Sequence, residues 1–376
     1  MRWGKKDNSP RFGPVRDYKD VAILIACYRG EGTIGTTVEA ALKTHCTVYV
    51  VDDGSKQRKA SDPVDMPLDL TAETARQAGA IVLELPQNGG KPKALFEAYY
   101  QLKLRDRYKA VAILDDDVTI EPQFITRSLR LMTRKVAIVV GKNITWWPKS
   151  QRWNIWIAKR AFSYWNYQLV TRRLQSFFGV MNCISGSNSV YRTELLDQVL
   201  VEKTPYIVDD TFWVLETQRR NLGQIVYAPK ARAYLQDPTN FKDWYKQNLR
   251  WLWGTFQGVI GHKVGRQVSR FDTAYVLLIM QWIIYVLSAP VALVLLTLAM
   301  FNAPWLVLVF IAGYGVWVTA AAIQLRQPRL ILFIPAIIVS DFIYRFIFVH
   351  AFFKALRAPT VENCVWESPT RIQRFA

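Results

Sequence analysis

Cysteine is scarce in this chain of 376 residues, and its four cysteines are scattered. Cys27, Cys46, Cys183 and Cys364 form no CxxC pair and lack the spacing of a zinc site. This excludes a disulfide framework and a zinc finger, and it predicts reduced, mostly buried thiols in a domain that faces a reducing cytosol. The first twenty residues contain no apolar segment, which argues against a cleavable signal peptide.

Acidic residues are also in deficit. Asp and Glu together number 30 against 48 Lys and Arg, which gives a formal net charge of +18. Such an excess of positive charge suits a partner that carries negative charge, whether a nucleic acid, an anionic membrane surface or a phosphorylated substrate.

Short apolar runs alternate with helical stretches in the first part of the chain. This alternation predicts an α/β fold, with a mainly parallel sheet and helices on both of its faces. Ligands of such sheets bind beyond the carboxyl ends of the strands, so polar clusters directly after the strands are the candidate site. The predicted strands are 21–26, 47–51, 80–85, 110–114 and 136–140, and the clearest helical stretches are 33–43 and 91–105.

The last third of the chain is apolar. Residues 273–301 carry no charge, and 303–325 and 330–353 are similarly apolar. Because roughly 20 apolar residues cross about 30 Å of hydrocarbon, the first two segments are predicted to span a membrane. The third contains Asp341 and Arg345 on one helical face, so a full span and a re-entrant or interior-facing helix both stay open.

Basic residues around these segments predict their orientation. They precede the first segment at 262–270 and lie between the second and third at 326–329, whereas the connection near Asn302 is uncharged. By the positive-inside rule, the large N-terminal domain is cytosolic and the protein is a multi-pass protein of the cell (inner) membrane.

A second membrane signal lies inside the N-terminal part. Residues 151–178 interleave Trp, Tyr and Phe with Lys and Arg, as expected of an amphipathic helix in the headgroup region. The same composition could bind single-stranded nucleic acid, but the apolar segments downstream favour the membrane. The predicted segments are a basic N-terminus at 1–20, a cytosolic domain at 21–255, an amphipathic linker at 256–271, a membrane region at 272–356 and a basic tail at 357–376.

Two acidic clusters follow predicted strands. Asp52 and Asp53 come after 47–51 and could accept hydrogen bonds from a base or ribose. Asp115 and Asp117 come after 110–114 and, two residues apart at an extended strand end, could converge on Mg²⁺ or Mn²⁺ that bridges substrate phosphates.

Two further clusters lie downstream. Asp210 is set apart from the predicted metal pair and could act as a general base. Arg250 could offset phosphate charge, and the neighbouring Trp251 offers a flat apolar face on which a pyranose ring can stack.

Taken in order, these clusters resemble the motifs of the family-2 glycosyltransferases, and among them the membrane-embedded synthases of the hyaluronan, chitin and cellulose type. The resemblance runs from about residue 20 to 255 and implies a GT-A-type fold followed by interfacial and transmembrane helices. The matching stretches are ACYRGEGTI (26–34), VVDDGS (50–55), QNGGKPKAL (87–95), LDDDV (114–118), SGSNSVYR (185–192), VDD (208–210) and QNLRW (247–251).

The resemblance also implies roles for single residues. Asp210 is implied as the catalytic base, and Asp115 and Asp117 as ligands of Mn²⁺ or Mg²⁺. The implied donor-binding residues are Tyr28, Glu31, Asp52, Asp53, Lys91, Asp115, Asp116 and Arg250. The implied acceptor-binding residues are Ser185, Gly186, Ser187, Asp209, Gln247 and Trp251.

A second motif competes with this interpretation. Gly30-x-Gly32-x-x-Gly35 has the spacing of a dinucleotide-binding fingerprint, with Asp52 about twenty residues on. Residues 27–29 intervene between the predicted strand and Gly30, however, and no phosphate cradle is expected in the register of the glycosyltransferase motifs. We interpret the spacing as coincidence, which leaves an NAD- or FAD-dependent membrane oxidoreductase as a remote alternative.

The resulting hypothesis is a metal-dependent, inverting hexosyltransferase that uses a UDP-sugar and a glycan acceptor in polysaccharide synthesis. The alternative is a non-processive enzyme that adds one or a few sugars to a lipid-linked or surface acceptor. With two or three spans, a complete export channel would need a homo-oligomer or a partner protein. Membrane lipids are further expected partners, and nucleic acid is not.

Overall fold

The computed structural model describes residues 11–58, 62 and 67–361. Cys364, the first half of the predicted N-terminal segment and most of the predicted basic tail lie outside these residues. The described chain forms two compact units. The first unit comprises the described residues of 1–144, 173–236 and 361–376, and the second comprises 145–172 and 237–360.

The first unit is built around one sheet of eight strands. Its strands are β1 (Val21–Cys27), β2 (Thr47–Asp52), β3 (Ile81–Glu84), β4 (Ala110–Asp115), β5 (Thr119–Ile120), β6 (Val136–Thr145), β7 (Asn188–Arg192) and β8 (Gln224–Leu235). Its helices are α1 (Glu31–Leu42), α2 (Thr71–Gln77), α3 (Lys91–Gln101), α4 (Leu104–Arg107), α5 (Phe124–Leu129), α7 (Arg172–Phe178), α8 (Thr193–Val199) and α9 (Asp209–Arg219).

The order of the strands is β3-β2-β1-β4-β7-β6-β8-β5. The pairs among β3, β2, β1 and β4 are parallel, as the alternation of strands and helices predicts. Beyond β4 the sheet becomes antiparallel, because β7 pairs with both β4 and β6 in that sense and β5 pairs with β8. The sheet is therefore mixed, with its parallel half at the N-terminal end of the chain.

Alternate residues of the central strands supply two separate cores. In β1, Ile23 and Ile25 pack on one face of the sheet with α1 and α5, while Ala22 and Leu24 pack on the other face with α3 and α8. Both faces are thus covered by helices, which explains why β1 is continuously apolar.

Two strands of the antiparallel half, β7 and β8, differ in sequence pattern from the predicted strands, which include the first half of β6. β7 contains the polar residues Asn188 and Ser189, and β8 contains Lys230 and Arg232 two residues apart. Such strands are not continuously apolar, so a search for apolar runs finds the parallel half and misses them.

Buried Arg192, at the end of β7, forms hydrogen bonds with the loop that leads into β6. Its guanidinium donates to the carbonyl oxygens of Met132, Thr133 and Val136 at 3.0–3.2 Å, and also to that of Gly13. A fixed, five-donor group suits a site at which several carbonyl oxygens converge.

The second unit is helical. Its helices are α6 (Ile155–Asn166), α10 (Phe241–Gly261), α11 (Arg270–Asn302), α12 (Pro304–Leu325) and α13 (Ile334–Arg357). A π-helical segment, Tyr167–Thr171, continues α6, and a 3-10 segment, Pro328–Phe333, leads into α13. The helix α6 packs against α12 and α13, and α13 packs along α10.

Three of these segments are long and apolar enough to cross a membrane: Arg270–Asn302, Pro304–Leu325 and Pro328–Arg357. The most apolar stretch of the first is only 6% buried, and its exposed large side chains include Leu, Ile, Val and Met. An exposed apolar surface of this length suits a lipid environment.

The charges inside the third segment are paired. Asp341 accepts from Arg345 at 2.8 Å within α13 and from Lys159 of α6 at 3.3 Å. The hydroxyls of Tyr285 and Tyr314 donate to the same carboxylate at 3.3 and 3.0 Å. This polar cluster joins four helices and offsets the cost of carrying charge in an apolar region.

Candidate active site

The predicted lysine and the first predicted metal ligand lie side by side. Lys91 is the first residue of α3, and its ammonium donates to Asp115 Oδ1 at the end of β4 over 2.5 Å. The same ammonium donates to the carbonyl oxygen of Gly186 over 3.2 Å. Lys91 therefore links the strand end of the predicted donor site to the loop of the predicted acceptor site.

The surroundings of Lys91 keep it charged. Burial opposes its positive charge, but the negative charges of Asp115 and Asp209 outweigh this effect and raise the pKa of the ammonium. Asp210 acts in the same direction. The site thus holds a permanent cation among acidic residues.

The predicted base is fixed by the loop of the predicted acceptor site. Asp210 lies in the first turn of α9, where the helix dipole favours a negative charge, and its Oδ2 accepts from the amide of Gly186 over 2.9 Å. A Cβ atom at position 186 would lie 2.9 Å from that same oxygen. Glycine is therefore required for the loop to approach Asp210 this closely.

Asp209, next to the predicted base, has an unsatisfied oxygen. Among the described residues, its Oδ2 atom is buried and has no hydrogen-bond partner. Leaving such an atom unpaired is costly, so it is a candidate to accept a hydrogen bond from a substrate hydroxyl.

The two serines of the predicted acceptor loop bond to their own loop. The hydroxyls of Ser185 and Ser187 lie 2.7 Å apart, and Ser189 donates to the carbonyl oxygen of Ser185 over 2.7 Å. Both predicted serines are buried. In this arrangement they shape the loop that presents Gly186.

The three acidic residues after the apolar part of β4 alternate in burial. Asp115 and Asp117 are partly exposed, whereas Asp116 is buried and accepts from the Cys27 thiol over 3.1 Å. The carbonyl oxygen of Asp116 accepts from Thr37 over 2.9 Å. These contacts fix Asp116 within the first unit, and its donor-binding role stays a prediction.

The acidic turn after β2 also bonds within the protein. Asp53 accepts from the amides of Gly89 and Gly90, both over 2.8 Å, and so fixes the turn that precedes Lys91. Asp52 accepts from the amide of Ser55 over 3.1 Å. Burial raises the pKa of both Asp52 and Asp53, although these amide contacts oppose the effect.

The two remaining predicted donor contacts of this unit lie near β1. Tyr28 lies beside the guanidinium of Arg29, which pairs with Asp62. Glu31, the first residue of α1, accepts from the amide of Leu70 over 3.1 Å. Both lie beyond the carboxyl end of a parallel strand, where ligands of such sheets bind.

The glycine fingerprint does not form a phosphate-binding loop. Gly32 and Gly35 lie inside α1, and the amide of Gly30 donates to Thr71 Oγ1 over 2.8 Å. A phosphate site of this kind needs backbone amides that point to the ligand from a helix N-terminus. The interpretation of the spacing as coincidence agrees with this geometry.

The residues at this edge suit a divalent cation whose coordination is completed by oxygen atoms of the substrate. Asp115 already binds one cation, the ammonium of Lys91, and Asp117, two residues away, is likewise partly exposed. Within the described ranges, no group of three or more His, Cys, Asp or Glu side chains could hold a metal ion alone. Mg²⁺ and similar ions are commonly held by one or two carboxylates together with substrate phosphates, so two carboxylates fit.

The remaining predicted residues, Gln247, Arg250 and Trp251, lie on α10 in the second unit. Two of them contact a residue to which no sequence motif points: Arg160 of α6 donates to Gln247 over 2.6 Å and lies 4.7 Å from the ring centroid of Trp251. The sequence signal for Arg160 is weak: it is a charged residue of α6 that lies next to the apolar, buried Ile157 and Ala161.

Comparison with known proteins identifies the fold and relatives. The family described as "Glycosyltransferase like family 2" matches residues 19–254. A mannosyltransferase from Pyrobaculum calidifontis, solved in complex with GDP-Man and Mn²⁺, aligns with a TM-score of 0.55 and 15% identity over 88% of this chain and 90% of that chain. This similarity confirms the predicted GT-A-type fold.

Three curated relatives illustrate the sequence similarity. Hyaluronan synthase 3 of Xenopus laevis is 27% identical over 43% of this chain and 30% of its own length. An N-acetylglucosaminyltransferase of Mesorhizobium japonicum is 26% identical over 65% of this chain and 57% of its own length. The poly-beta-1,6-N-acetyl-D-glucosamine synthase of Staphylococcus epidermidis is 24% identical over 65% of this chain and 55% of its own length. The chain thus covers from less than a third to just over half of the length of these relatives.

Proposed function

This chain belongs to glycosyltransferase family 2, and on that premise we propose that it is a membrane-bound, metal-dependent inverting enzyme that transfers a sugar from a UDP-sugar to a glycan acceptor. One observation carries the proposal: Asp115, Lys91, Gly186 and Asp210 form a continuous chain of contacts. This arrangement supports a site in which the proposed cation ligands and the proposed base act together.

The donor half of the proposed site uses Asp115 and Asp117 as ligands of Mn²⁺ or Mg²⁺. When bound, such an ion neutralises charge on the diphosphate leaving group. Lys91 adds a second positive charge beside them, held there by Asp115 and by the carbonyl oxygen of Gly186. Positive charge placed in advance where negative charge develops is an effective source of rate acceleration.

The acceptor half uses Asp210 as the general base. Its carboxylate takes the proton of the acceptor hydroxyl while the acceptor oxygen forms a bond to the anomeric carbon. The bond from that carbon to the diphosphate oxygen breaks, and its electron pair leaves with the nucleoside diphosphate. Attack from the face opposite the leaving group inverts the anomeric centre.

The names of the relatives suggest both a donor and a product. Two of the three names contain N-acetylglucosamine, so UDP-N-acetylglucosamine is the first donor to test, and the names of the two synthases suggest synthesis of a polysaccharide. Non-processive transfer of one or a few sugars is the second candidate. The roles of Arg250, Gln247 and Trp251 stay predictions.

We further propose that the first unit faces the cytosol and that the apolar helices anchor it in the cell membrane. The basic residues at 262–270 and 326–329 support this orientation. Protease digestion of inside-out and right-side-out membrane vesicles tests it, because a cytosolic first unit is cleaved only in inside-out vesicles.

The test of the reaction is nucleotide release by detergent-purified protein with Mn²⁺ and a panel of UDP- and GDP-sugars, with products sized on a gel. Asp210→Asn and Asp117→Asn are expected to lose at least about 100-fold in rate, as removal of a general base or a metal ligand does. The control is Asp106→Asn, an exposed acidic residue of α4.

The results separate the candidates. UDP release with a polydisperse product supports a polysaccharide synthase, and release with a short product supports the non-processive enzyme. Wild-type turnover in either variant refutes the assignment of the residues.

A further inference from the structure

We propose that Arg160 of α6 is a positioning residue that holds Gln247 and Trp251 in the geometry that receives the acceptor sugar. The proposal rests on the function proposed above and on the predicted role of Gln247 and Trp251, in the QNLRW motif, as acceptor-binding residues. It adds a residue that lies outside the motif, on a helix that the sequence pattern assigns to the membrane surface.

The guanidinium of Arg160 contacts α10 at several points. It donates from Nη2 to Gln247 Oε1 over 2.6 Å and from Nη1 to Asn248 Oδ1 over 3.2 Å. Gln247 and Trp251 are four residues apart on α10 and therefore lie on one face of that helix. A single planar group thus fixes side chains one helical turn apart.

The contacts with rings fix the plane of the Trp251 indole. The Cζ atom of Arg160 lies 4.7 Å from the ring centroid of Trp251 and 5.5 Å from that of Tyr164. A guanidinium at this distance is attracted by the face of an aromatic ring. Since one face of the indole is covered by Arg160, a sugar ring can stack only on the other.

The bond to Gln247 also sets the direction of its amide. Because Oε1 accepts from Arg160, the amide nitrogen must point away from the guanidinium. Gln247 then presents a hydrogen-bond donor in a fixed direction, as recognition of a sugar hydroxyl requires.

A buried counter-ion holds Arg160 itself. Arg160 and Asp237 are both buried, and Arg160 Nε lies 3.4 Å from Asp237 Oδ1. Arginine is suited to such a site because its planar fork makes several directed contacts at once, whereas lysine keeps the charge and loses the fork. The Arg160→Lys variant therefore removes the positioning contacts and leaves Asp237 with a positive neighbour.

The experiment compares two fates of the donor sugar in detergent-purified full-length protein. Transfer to an oligosaccharide acceptor and hydrolysis to free sugar are measured with UDP-N-acetylglucosamine and Mn²⁺ for wild type, Arg160→Lys and the control Arg172→Lys. Arg172 is also a buried arginine, 5.1 Å from the ring centroid of Tyr167.

In Arg160→Lys, the ratio of transfer to hydrolysis should fall at least about tenfold, because displacement of a positioned group by less than about 1 Å suffices for such a loss. The donor KM should stay within about twofold of wild type, since Gln247 and Trp251, which Arg160 contacts, are predicted acceptor residues, and the control should keep the wild-type ratio. A proportional loss of transfer and hydrolysis in Arg160→Lys would overturn the proposal, because it would show a general structural defect.

A measurement without turnover separates this proposal from the proposed function. With 5-fluorotryptophan in place of the 14 tryptophans, the ¹⁹F resonance of Trp251 is assigned by its loss in Trp251→Phe. The resonance should shift or broaden in Arg160→Lys and not in Arg172→Lys, and an unchanged resonance would overturn the positioning role. A shifted resonance together with no nucleotide release by wild type would refute the proposed function, and with it the acceptor role of Arg160.

Discussion

Replacing Gly186 by alanine tests the contact between the acceptor loop and the base. The added Cβ atom would lie 2.9 Å from Asp210 Oδ2, 3.2 Å from its Cβ and 3.4 Å from its Cγ. Ordinary van der Waals separations of such atoms are about 3.5 Å or more, so the carboxylate and the loop must move apart by about 0.5 Å. The backbone at Gly186 is not left-handed, so the effect comes from this crowding.

A displacement of that size reaches the limit that a catalytic arrangement tolerates, which is about 0.5 Å. A misplacement of about 1 Å costs about 100-fold in rate, so Gly186→Ala is expected to lose about 10- to 100-fold in kcat. The unfolding free energy should fall by about 1–3 kcal/mol, the usual cost of overpacking. The donor KM should change little, because Lys91 can still donate to Asp115.

The assay is the initial rate of nucleotide release at saturating donor, together with thermal unfolding in detergent. The matched control is Gly313→Ala in α12, where an added Cβ atom meets nothing within 4 Å. That variant should keep the wild-type rate. A Gly186→Ala enzyme with the wild-type kcat would refute the reasoning, because it would mean that Asp210 does not depend on this contact.

Three further predictions follow from other contacts. Lys91→Met should raise the donor KM by about tenfold or more in nucleotide-release assays, because it removes the cation beside Asp115; an unchanged KM would contradict this. Burial raises the pKa of Asp52 above its ordinary value of 3.8, so its contribution to stability is greatest below pH 3.8 and falls as the pH rises through the raised pKa. Asp52→Asn should therefore gain stability relative to wild type between about pH 4 and pH 7 in urea unfolding, and a relative loss with rising pH would oppose the sign of the shift. Asp341→Leu should cost about 3–5 kcal/mol, since it leaves the buried Lys159 and the partly buried Arg345 without their carboxylate, and the double variant Lys159→Met/Asp341→Leu should recover part of the loss in detergent melting temperature.

The parallel half of the sheet, and the acidic residues at the carboxyl ends of its strands, can be predicted from the sequence for a physical reason. A strand buried on both faces must be continuously apolar, so β1, β2 and β4 stand out, and the polar residues that follow them meet at one edge of the sheet. The order of the motifs along the chain is enough to assign Asp115 and Lys91 to that edge.

Other features depend on partners that are distant in sequence. The composition of 151–178 places Lys159 and Arg160 on a helix, but nothing local shows that they face inward, toward Asp341 and Asp237 respectively. The role of Gly186 as the donor to the Asp210 carboxylate likewise depends on how the loop before β7 meets the start of α9. The two amides that donate to the Asp53 carboxylate, those of Gly89 and Gly90, are likewise 36 and 37 residues away in sequence.

The pairing of Asp341 with Arg345 bears on how the last helix is made. The two residues are four apart on α13 and neutralise each other within one helical turn, so the helix carries its own counter-ion as soon as it forms. Lys159 belongs to a segment translated 182 residues earlier and can join the carboxylate only after α13 has arrived. The bond between them therefore forms late in biogenesis, and it ties a helix made in the middle of the chain to the helix made last among the described residues.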